Sequence, residues 1–169
     1  MSDRTYFVYN ITMLRKDSAR YYLLMSLVPY SHANINLATH PNKFFNELER
    51  RLEINKRAVE TAQARALRAG HIIKDSKNRL KLTQLGERLV APYISKKLSN
   101  AQLMIIFDIP EVDSYKRRLL RAILKEFHFE QIQKSVWITK VDCEKYVRQD
   151  IAYLGLNKCV KLFETIELK

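Results

Sequence analysis

The stretch that decides the fold is KRAVETAQARALRAG at residues 56–70, followed directly by HIIKDSKNRLKLTQLG at residues 71–86. The first part has the composition of a helix, and Gly70 is typical of the position just beyond a helix C-terminus. The second part consists of two short strand-type runs around the turn-forming residues 75–78. We therefore predict a helix that is followed at once by a short hairpin.

On a helical wheel, the helix predicted from Lys56 to Ala69 separates into an apolar face and a cationic face. The apolar face contains Val59, Ala62, Ala66 and Leu67. The opposite face contains Arg57, Thr61, Ala64, Arg65 and Arg68, with Glu60 at its edge. The small Ala64 would allow close approach to a DNA duplex, as a helix entering a major groove requires. Taken alone, the same pattern also fits an ordinary solvated helix face.

The residues before this segment predict two further helices. Asp17 or Ser18 is a good cap for a helix that continues to Leu27, where a Val-Pro pair ends it. Pro41 suits the first position of a second helix. Asn55 then caps the cationic helix after a very short connection. The order is thus a tight helix-turn-helix followed by a charged hairpin.

This arrangement resembles the winged helix-turn-helix module. The step Leu82, Thr83 and Gly86 after the hairpin is similar to a Leu-Thr-x-x-Gly step that recurs in this class. The resemblance implies that residues 56–69 form the recognition helix and residues 75–78 the tip of the wing. The implied contacts to DNA are Lys56, Arg57, Thr61, Arg65 and Arg68 on the helix, and Lys74, Lys77, Arg79 and Lys81 on the wing.

The charge of the chain is unevenly distributed. Its 169 residues include 30 Lys and Arg against 18 Asp and Glu, a net charge of +12. Residues 1–99 contain 18 basic and 8 acidic residues, a net charge of +10, whereas residues 100–169 contain 12 and 10, a net charge of +2. The asymmetry favours a nucleic-acid partner for the first half.

Composition also limits the class of protein and its location. Residues 95–100 are polar and aperiodic, so we place a domain boundary there, with domains at residues 1–98 and 99–169. The longest uncharged run contains several polar residues, which excludes a membrane span, and residues 1–10 have no signal-peptide pattern. We therefore expect a cytoplasmic protein. We expect Cys143 and Cys159 to be buried thiols.

The second half alternates strand and helix patterns. Residues 102–109 are apolar on both faces, as in a central strand, and Ser114 is a candidate cap for the helix that follows. Residues 129–140 leave little room for two strands, and Lys134 breaks their alternation, so we expect a bulge or a break there. A second helix ends at Gly155 and a last strand follows. The order predicts a ferredoxin-like βαββαβ domain and an α+β fold class overall.

Three segments of this half resemble the Cas-two type domain. They are LMIIFDIPE at residues 103–111, the helix with Arg117, Arg118 and Arg121, and IQKSVWI at residues 132–138. This domain occurs in the CRISPR spacer-acquisition protein and in the PaaX family of transcriptional repressors. In the repressors it follows a winged helix, which is the order found here. The resemblance to the repressor branch is the closer one.

The resemblance implies a dimeric, sequence-specific DNA-binding regulator, most simply a repressor. Its partners would be double-stranded DNA and a second copy bound through the carboxy-terminal domain, and we expect no cofactor, membrane partner or enzymatic activity. The alternative is a nuclease or spacer-acquisition component that depends on Mg²⁺ or Mn²⁺. In that case Asp108 would bind the metal together with its symmetry mate, because one carboxylate cannot hold such an ion alone.

Several other residues have less specific patterns. Asp108 also suits a turn in which its side chain accepts backbone N–H bonds, and we favour this interpretation. Ser135 has no recognisable base beside it, so a nucleophilic role is not expected. The four histidines, His32, His40, His71 and His128, lack the spacing of a metal site. We expect Tyr21, Tyr22, Tyr30, Phe44 and Phe45 to belong to the core rather than to stack on bases.

Overall fold

The computed structural model describes residues 14–166, of which 51% are helical and 18% are in strands. This composition confirms the predicted α+β class. The chain divides into two compact units, Met1–Val90 and Ala91–Lys169, whereas sequence analysis places the boundary after residue 98. Residues 1–10, on which the signal-peptide argument depends, lie outside the described part. No helix among the described residues combines the length and apolar character needed to cross a bilayer.

Unit 1 contains helices and one small hairpin. The helices are α1 (Ala19–Ser26), α2 (His32–Thr39), α3 (Pro41–Leu52) and α4 (Lys56–Arg68), followed by strands β1 (Ile72–Lys74) and β2 (Leu80–Leu82) and by helix α5 (Gln84–Ile94), within which the two units meet in sequence. Strands β1 and β2 pair antiparallel, with Ile73 opposite Lys81. Helix α2 was not predicted.

The caps of these helices follow the sequence prediction. The Ser18 hydroxyl accepts the Tyr21 N–H at 3.1 Å at the start of α1, and the Asn55 side chain accepts the Ala58 N–H at 2.9 Å at the start of α4. Pro41 occupies the first turn of α3 as expected. The short connection between α3 and α4 is possible because Glu53 adopts a left-handed conformation, with φ of 55°.

The core of unit 1 is largely the predicted one. Phe44 and Leu48 of α3 are buried, and Tyr22 and Phe45 pack against this cluster. Tyr30 is a correction to the predicted core, because its side chain is 90% exposed. The residue lies in the turn between α1 and α2 with a φ of 59°, and its N–H donates to Asn34 Oδ1 at 3.3 Å. This backbone conformation directs the ring into solvent.

Unit 2 contains a four-stranded antiparallel sheet and two long helices. Its elements are β3 (Gln102–Phe107), a 3₁₀ turn (Glu111–Asp113), α6 (Ser114–Glu126), β4 (Glu130–Gln133), β5 (Val136–Thr139), α7 (Glu144–Tyr153) and β6 (Val160–Thr165). The strand order is β4-β5-β3-β6, so β3 is central as predicted. Ile105, Phe107 and Trp137 lie on the face that the helices cover, and they are almost fully buried.

Three details of unit 2 differ from the sequence prediction or extend it. Ser114 is the first residue of α6 rather than its cap, which is Asp113. Strands β4 and β5 have only four residues each, and the pairing shifts between Gln131 and Gln133, close to the break predicted at Lys134. Part of the predicted linker is attached to unit 2, because the Leu98 N–H donates to the Lys140 carbonyl at 2.7 Å.

The two cysteines are free thiols with different environments. Cys143 is buried, as predicted, at the start of α7. Cys159 is partly exposed, so the prediction of a buried thiol is wrong for this residue. Its position just before β6, in the turn that follows α7, leaves one side of the residue open to solvent.

Candidate nucleic-acid interface

Helix α4 has the two faces that its sequence predicts. Ala62 and Ala66 are 8% and 1% exposed and form the buried face. Arg57, Thr61 and Arg65 are exposed on the opposite face. The division arises because apolar and polar residues repeat with the 3.6-residue period of a helix. The helix therefore presents a row of polar and cationic side chains to solvent.

The cationic side chains of α4 are not neutralised by carboxylates of the described residues. Arg57, Arg65 and Arg68 form no ion pair within residues 14–166. The Arg68 Nε donates to the Ala64 carbonyl at 3.4 Å, and the Thr61 hydroxyl donates to the Arg57 carbonyl at 2.8 Å. The predicted helix residues, with Lys56 among them, thus lie together on one exposed surface, which we call the α4 cationic face.

The hairpin is also basic and exposed, but one of its own carboxylates engages two of its cations. The Asp75 side chain accepts the backbone N–H groups of Lys77 and Arg79, both at 2.9 Å. The Arg79 guanidinium lies 2.8 Å from Asp75 Oδ2, and Lys81 Nζ lies 3.4 Å from it. The hydrogen bonds from Arg79, backbone first and then side chain, hold the pKa of the Asp75 carboxyl well below its usual range.

This arrangement divides the four predicted wing residues. Arg79 and Lys81 form ion pairs with Asp75. Lys74 and Lys77 are exposed and form no ion pair within the described part of the chain. Sequence analysis missed the role of Asp75. An Asp at the first position of a turn often accepts backbone N–H groups with its side chain. The sequence Asp75-Ser-Lys-Asn78 therefore already contained the signal for this role.

The end of α4, the hairpin and α5 are joined by a compact set of hydrogen bonds around Thr83. The Thr83 hydroxyl donates to the Gly70 carbonyl at 2.6 Å and accepts the Gly86 N–H at 3.2 Å. The Thr83 N–H donates to the His71 carbonyl at 3.0 Å. A Cβ on Gly86 would lie 2.1 Å from that same carbonyl oxygen. The Leu-Thr-x-x-Gly step therefore has a structural cause, namely this close contact between α5 and the backbone after α4.

His71 lies at this junction beside an arginine of α1. The His71 side chain is buried, and Arg20 Nη2 lies 3.2 and 3.3 Å from its two ring nitrogens. Burial, and secondarily the charge of Arg20, lower the pKa of His71 to about 4. The imidazole is thus neutral near pH 7. Both residues escaped sequence analysis as members of the candidate interface, because they lie 51 positions apart in the chain.

Unit 2 contains a second cluster of polar residues around Asp108. The residue is exposed at the end of β3, where its N–H donates to the Cys159 carbonyl at 2.9 Å. Its carboxylate accepts no hydrogen bond from the described residues, so our preferred turn-capping interpretation is wrong. The 3₁₀ turn that follows is closed by backbone groups alone, because the Asp113 N–H donates to the Pro110 carbonyl at 2.9 Å.

Asp108 borders a groove of about 580 Å³ that is also lined by Arg117, Arg121, Lys134 and Ser135. Arg117 is paired with Glu111 at 2.6 Å, and Arg121 donates to the Lys134 carbonyl at 3.0 Å. Within residues 14–166, no three His, Cys, Asp or Glu side chains are placed to hold a metal ion. The described residues of one chain therefore supply a single carboxylate, that of Asp108, to this groove.

The comparison with protein families identifies a match in the carboxy-terminal part of the chain. Residues 97–169 match the family model described as the PaaX protein central Cas2-like domain, which supports the predicted resemblance to PaaX proteins. No curated protein matches the sequence of this chain. A solved structure, the uncharacterized protein Rv0674 from Mycobacterium tuberculosis, is similar over 89% of this chain, with 17% identity and a TM-score of 0.39. This chain covers 62% of that protein.

Proposed function

We propose that this chain is a DNA-binding transcriptional regulator of the PaaX-like type, most simply a repressor. The observation that carries the proposal is the α4 cationic face, whose arginines have no carboxylate partner among the described residues. Exposed guanidinium groups on a braced helix suit both phosphate contacts and hydrogen bonds to guanine edges. The similarity of residues 97–169 to the PaaX central domain supports the same interpretation.

The proposal assigns a winged helix-turn-helix to residues 1–98 and a ferredoxin-like domain to residues 99–169. Helix α4 is the recognition helix, and the β1–β2 hairpin is the wing. The element order in unit 2 and its strand order β4-β5-β3-β6 are those that a ferredoxin-like domain requires. In this assignment Arg57, Thr61, Arg65 and Arg68 contact the major groove, with Lys56 and the four wing residues on the backbone.

The proposal also includes a homodimer formed through the sheet of unit 2. The strand register places Met104, Ile106, Val136, Ile138 and Phe163 on the face of the sheet opposite to the buried Phe107 and Trp137. Ile106 and Phe163 are 37% and 41% exposed. This apolar stretch is flanked on the same face by Lys161 of β6 and Glu130 of β4, and it is stabilised when a second copy covers it. A twofold dimer would carry two recognition helices and predicts a palindromic site with half-sites one helical turn, or a multiple, apart.

Selection of bound sequences from a random DNA pool tests the proposal directly. We expect a palindromic site, and we expect Arg57→Ala to weaken binding to it by about 1 to 3 kcal/mol if the side chain reads a base. Lys77→Ala should weaken binding to every sequence. It should also reduce the slope of log affinity against log salt concentration by about one, because one phosphate contact is lost. Failure to enrich any sequence, together with no measurable affinity for random duplex at low salt, would rule out the proposed function.

The alternative function is a nuclease, or a spacer-acquisition component, that depends on Mg²⁺ or Mn²⁺. The observation in its favour is that the Asp108 carboxylate is exposed, accepts no hydrogen bond from residues 14–166, and lies in a groove that contains cationic residues. Incubation of the protein with single- and double-stranded DNA and RNA plus either ion tests it, with Asp108→Asn as the matched variant. Cleavage that disappears in this variant supports the alternative, and cleavage that persists indicates a contaminant.

A further inference from the structure

A groove of about 710 Å³ lies between α1 and α4, and its α1 wall is not part of the predicted site. Its α4 wall contains Arg57, Thr61 and Arg65, which also belong to the α4 cationic face. Its α1 wall contains Arg20, beside His71. We propose that this groove binds a phosphate of the DNA backbone and that Arg20 contacts that phosphate. The inference rests on the proposed function and adds a residue on a different helix to the contact surface.

The charge of the groove favours an anion. Among residues 14–166, three guanidinium groups line it, those of Arg20, Arg57 and Arg65, and no Asp or Glu does. Like charges held close together repel unless a counter-charge lies between them. A phosphate oxygen is the group that guanidinium binds with the best geometry, through paired N–H donors.

Arg20 itself is a cation that needs a partner. Its side chain is half-buried against the imidazole of His71, which is neutral near pH 7, and it forms no ion pair with any carboxylate within residues 14–166. Partial removal of a guanidinium from water costs free energy that a neutral histidine does not recover. An anion entering from the groove would offset that cost. Burial also lowers the pKa of Arg20, in line with an unmet demand for negative charge.

The two helices direct their N-termini to the same groove. Ser18 and Asn55, the N-caps of α1 and α4, both line it. Neither helix has an acidic residue in its first turn, although Asp17 directly precedes the cap of α1, where its carboxylate accepts the Tyr22 hydroxyl at 3.1 Å. The positive ends of the two helix dipoles add to the attraction that the three arginines already supply.

The position and composition of the groove indicate the backbone rather than a base. Arg57, Thr61 and Arg65 are spaced four residues apart, so this wall follows about two turns of α4. A duplex that receives the α4 cationic face in its major groove brings its phosphates beside that wall. In the described part of the chain, no Phe, Tyr or Trp on which an extruded base could stack lines the groove. The phosphate is therefore the component of DNA that matches it.

The test compares Arg20→Gln with Arg15→Gln. Arg15 is exposed just before α1 and is not among the residues that line the groove. Its substitution by Gln changes the net charge by the same amount, so it serves as the matched control. DNA affinity is measured as a function of salt concentration on the selected site and on a random duplex. We expect Arg20→Gln to lose about tenfold in affinity on both duplexes and to reduce the salt slope by about one, since a phosphate contact carries no sequence information. Arg15→Gln should change the slope less.

Two further variants make the outcomes decisive. Arg20→Lys keeps the charge and should recover most of the salt slope, and thermal unfolding of each variant verifies that the fold is retained. Unchanged affinity and slope in a folded Arg20→Gln protein, with Arg57→Ala still defective, would overturn the inference alone. Unchanged affinity in both Arg20→Gln and Arg57→Ala would refute the proposed function instead.

A titration with inorganic phosphate distinguishes the DNA backbone from a free anion as the ligand. We expect millimolar phosphate to perturb the Arg20 side-chain signals only weakly in NMR spectra, and to compete with DNA no more than chloride at equal ionic strength. Tight binding of phosphate alone, with no loss of DNA affinity in Arg20→Gln, would assign the groove to a small anion and overturn the backbone inference.

Discussion

The α4 cationic face and the β1–β2 hairpin have similar sequences in terms of charge, yet they differ in how much of that charge is available. The arginines of α4 have no ion pair among the described residues, whereas Arg79 and Lys81 of the hairpin both contact Asp75. The comparison teaches that a count of basic residues measures the field of a surface but not the readiness of each cation to bind a phosphate. That readiness depends on the nearest carboxylate.

The largest expected effect concerns the junction that supports both regions. Gly86→Ala would place a Cβ 2.1 Å from the His71 carbonyl oxygen, and we expect it to destabilise unit 1 by about 3 kcal/mol, at the upper end of overpacking effects. Urea unfolding measures this. Gly70→Ala is the matched control, because its Cβ would meet open space and only the φ of 69° would add strain, of about 1 kcal/mol. Equal losses of unfolding free energy in the two variants would show that the close contact between Gly86 and the His71 carbonyl does not limit the residue at position 86.

The second prediction separates the two regions by their effect on DNA binding. We expect Arg57→Ala to cost about 2 kcal/mol on the selected sequence and much less on a random duplex, because a base contact is specific. Arg79→Ala should cost about 0.5 kcal/mol on both, since its guanidinium is already shared with Asp75. Gel-shift titrations measure both losses. Equal losses would contradict the contrast between the regions.

The third prediction uses pH. The folded pKa of His71, about 4, lies below its unfolded value of 6.5, so the unfolded chain binds a proton first as the pH falls. The contribution of neutral His71 to the free energy of unfolding is therefore fully present above pH 6.5 and is lost as the pH falls towards 4. After allowance for solvent screening, we expect a loss of about 1 kcal/mol between pH 7 and 5. Urea unfolding at both pH values measures the change. His71→Phe should flatten the dependence, and an equally steep curve in that variant would assign it to other groups.

The smallest expected effect is local to the hairpin. Asp75→Asn removes the charge that holds Arg79 and Lys81 and weakens the acceptor for the Lys77 and Arg79 N–H groups. We expect faster hydrogen exchange at these two amides, with little change in the exchange of α4. Because the folded pKa of Asp75 is lowered, wild-type protection should likewise be present at neutral pH and be lost in strong acid. Unchanged exchange at both amides would show that the turn does not depend on this carboxylate.

Much of the fold follows from local patterns that the sequence displays. Ser18, Pro41 and Asn55 mark helix starts because capping depends on residues a few positions apart. The central strand β3 was recognisable because it is apolar on both faces. Helix α2 was missed, since its polar sequence has little amphipathic periodicity and its cap, Ser31, follows the exposed Tyr30.

The candidate site was predictable on one helix and not across helices. The exposed row on α4 follows from a 3.6-residue period, which any reader of the sequence can apply. The neighbourhood of Arg20 and His71 does not, because no local rule connects residues of α1 with the segment after α4. That the Asp108 carboxylate accepts no hydrogen bond from residues 14–166 was equally hidden, since an Asp before a Pro-containing turn has the same sequence whether or not its side chain caps that turn.

By itself, the sequence determined most of the helices and strands, the caps at Ser18 and Asn55, and which face of α4 is cationic, because these properties depend on periodicity and on neighbours within a few positions. Only the tertiary structure decided which cations keep their charge available. Arg20 meets the neutral His71, 51 positions away in the chain, and opens into a groove to which the described residues contribute no carboxylate, whereas the pairing of Asp75 with Arg79 and Lys81 is local to the hairpin. The physical reason is that electrostatic energy depends on distances in space, and these distances are set by packing between elements remote in the chain.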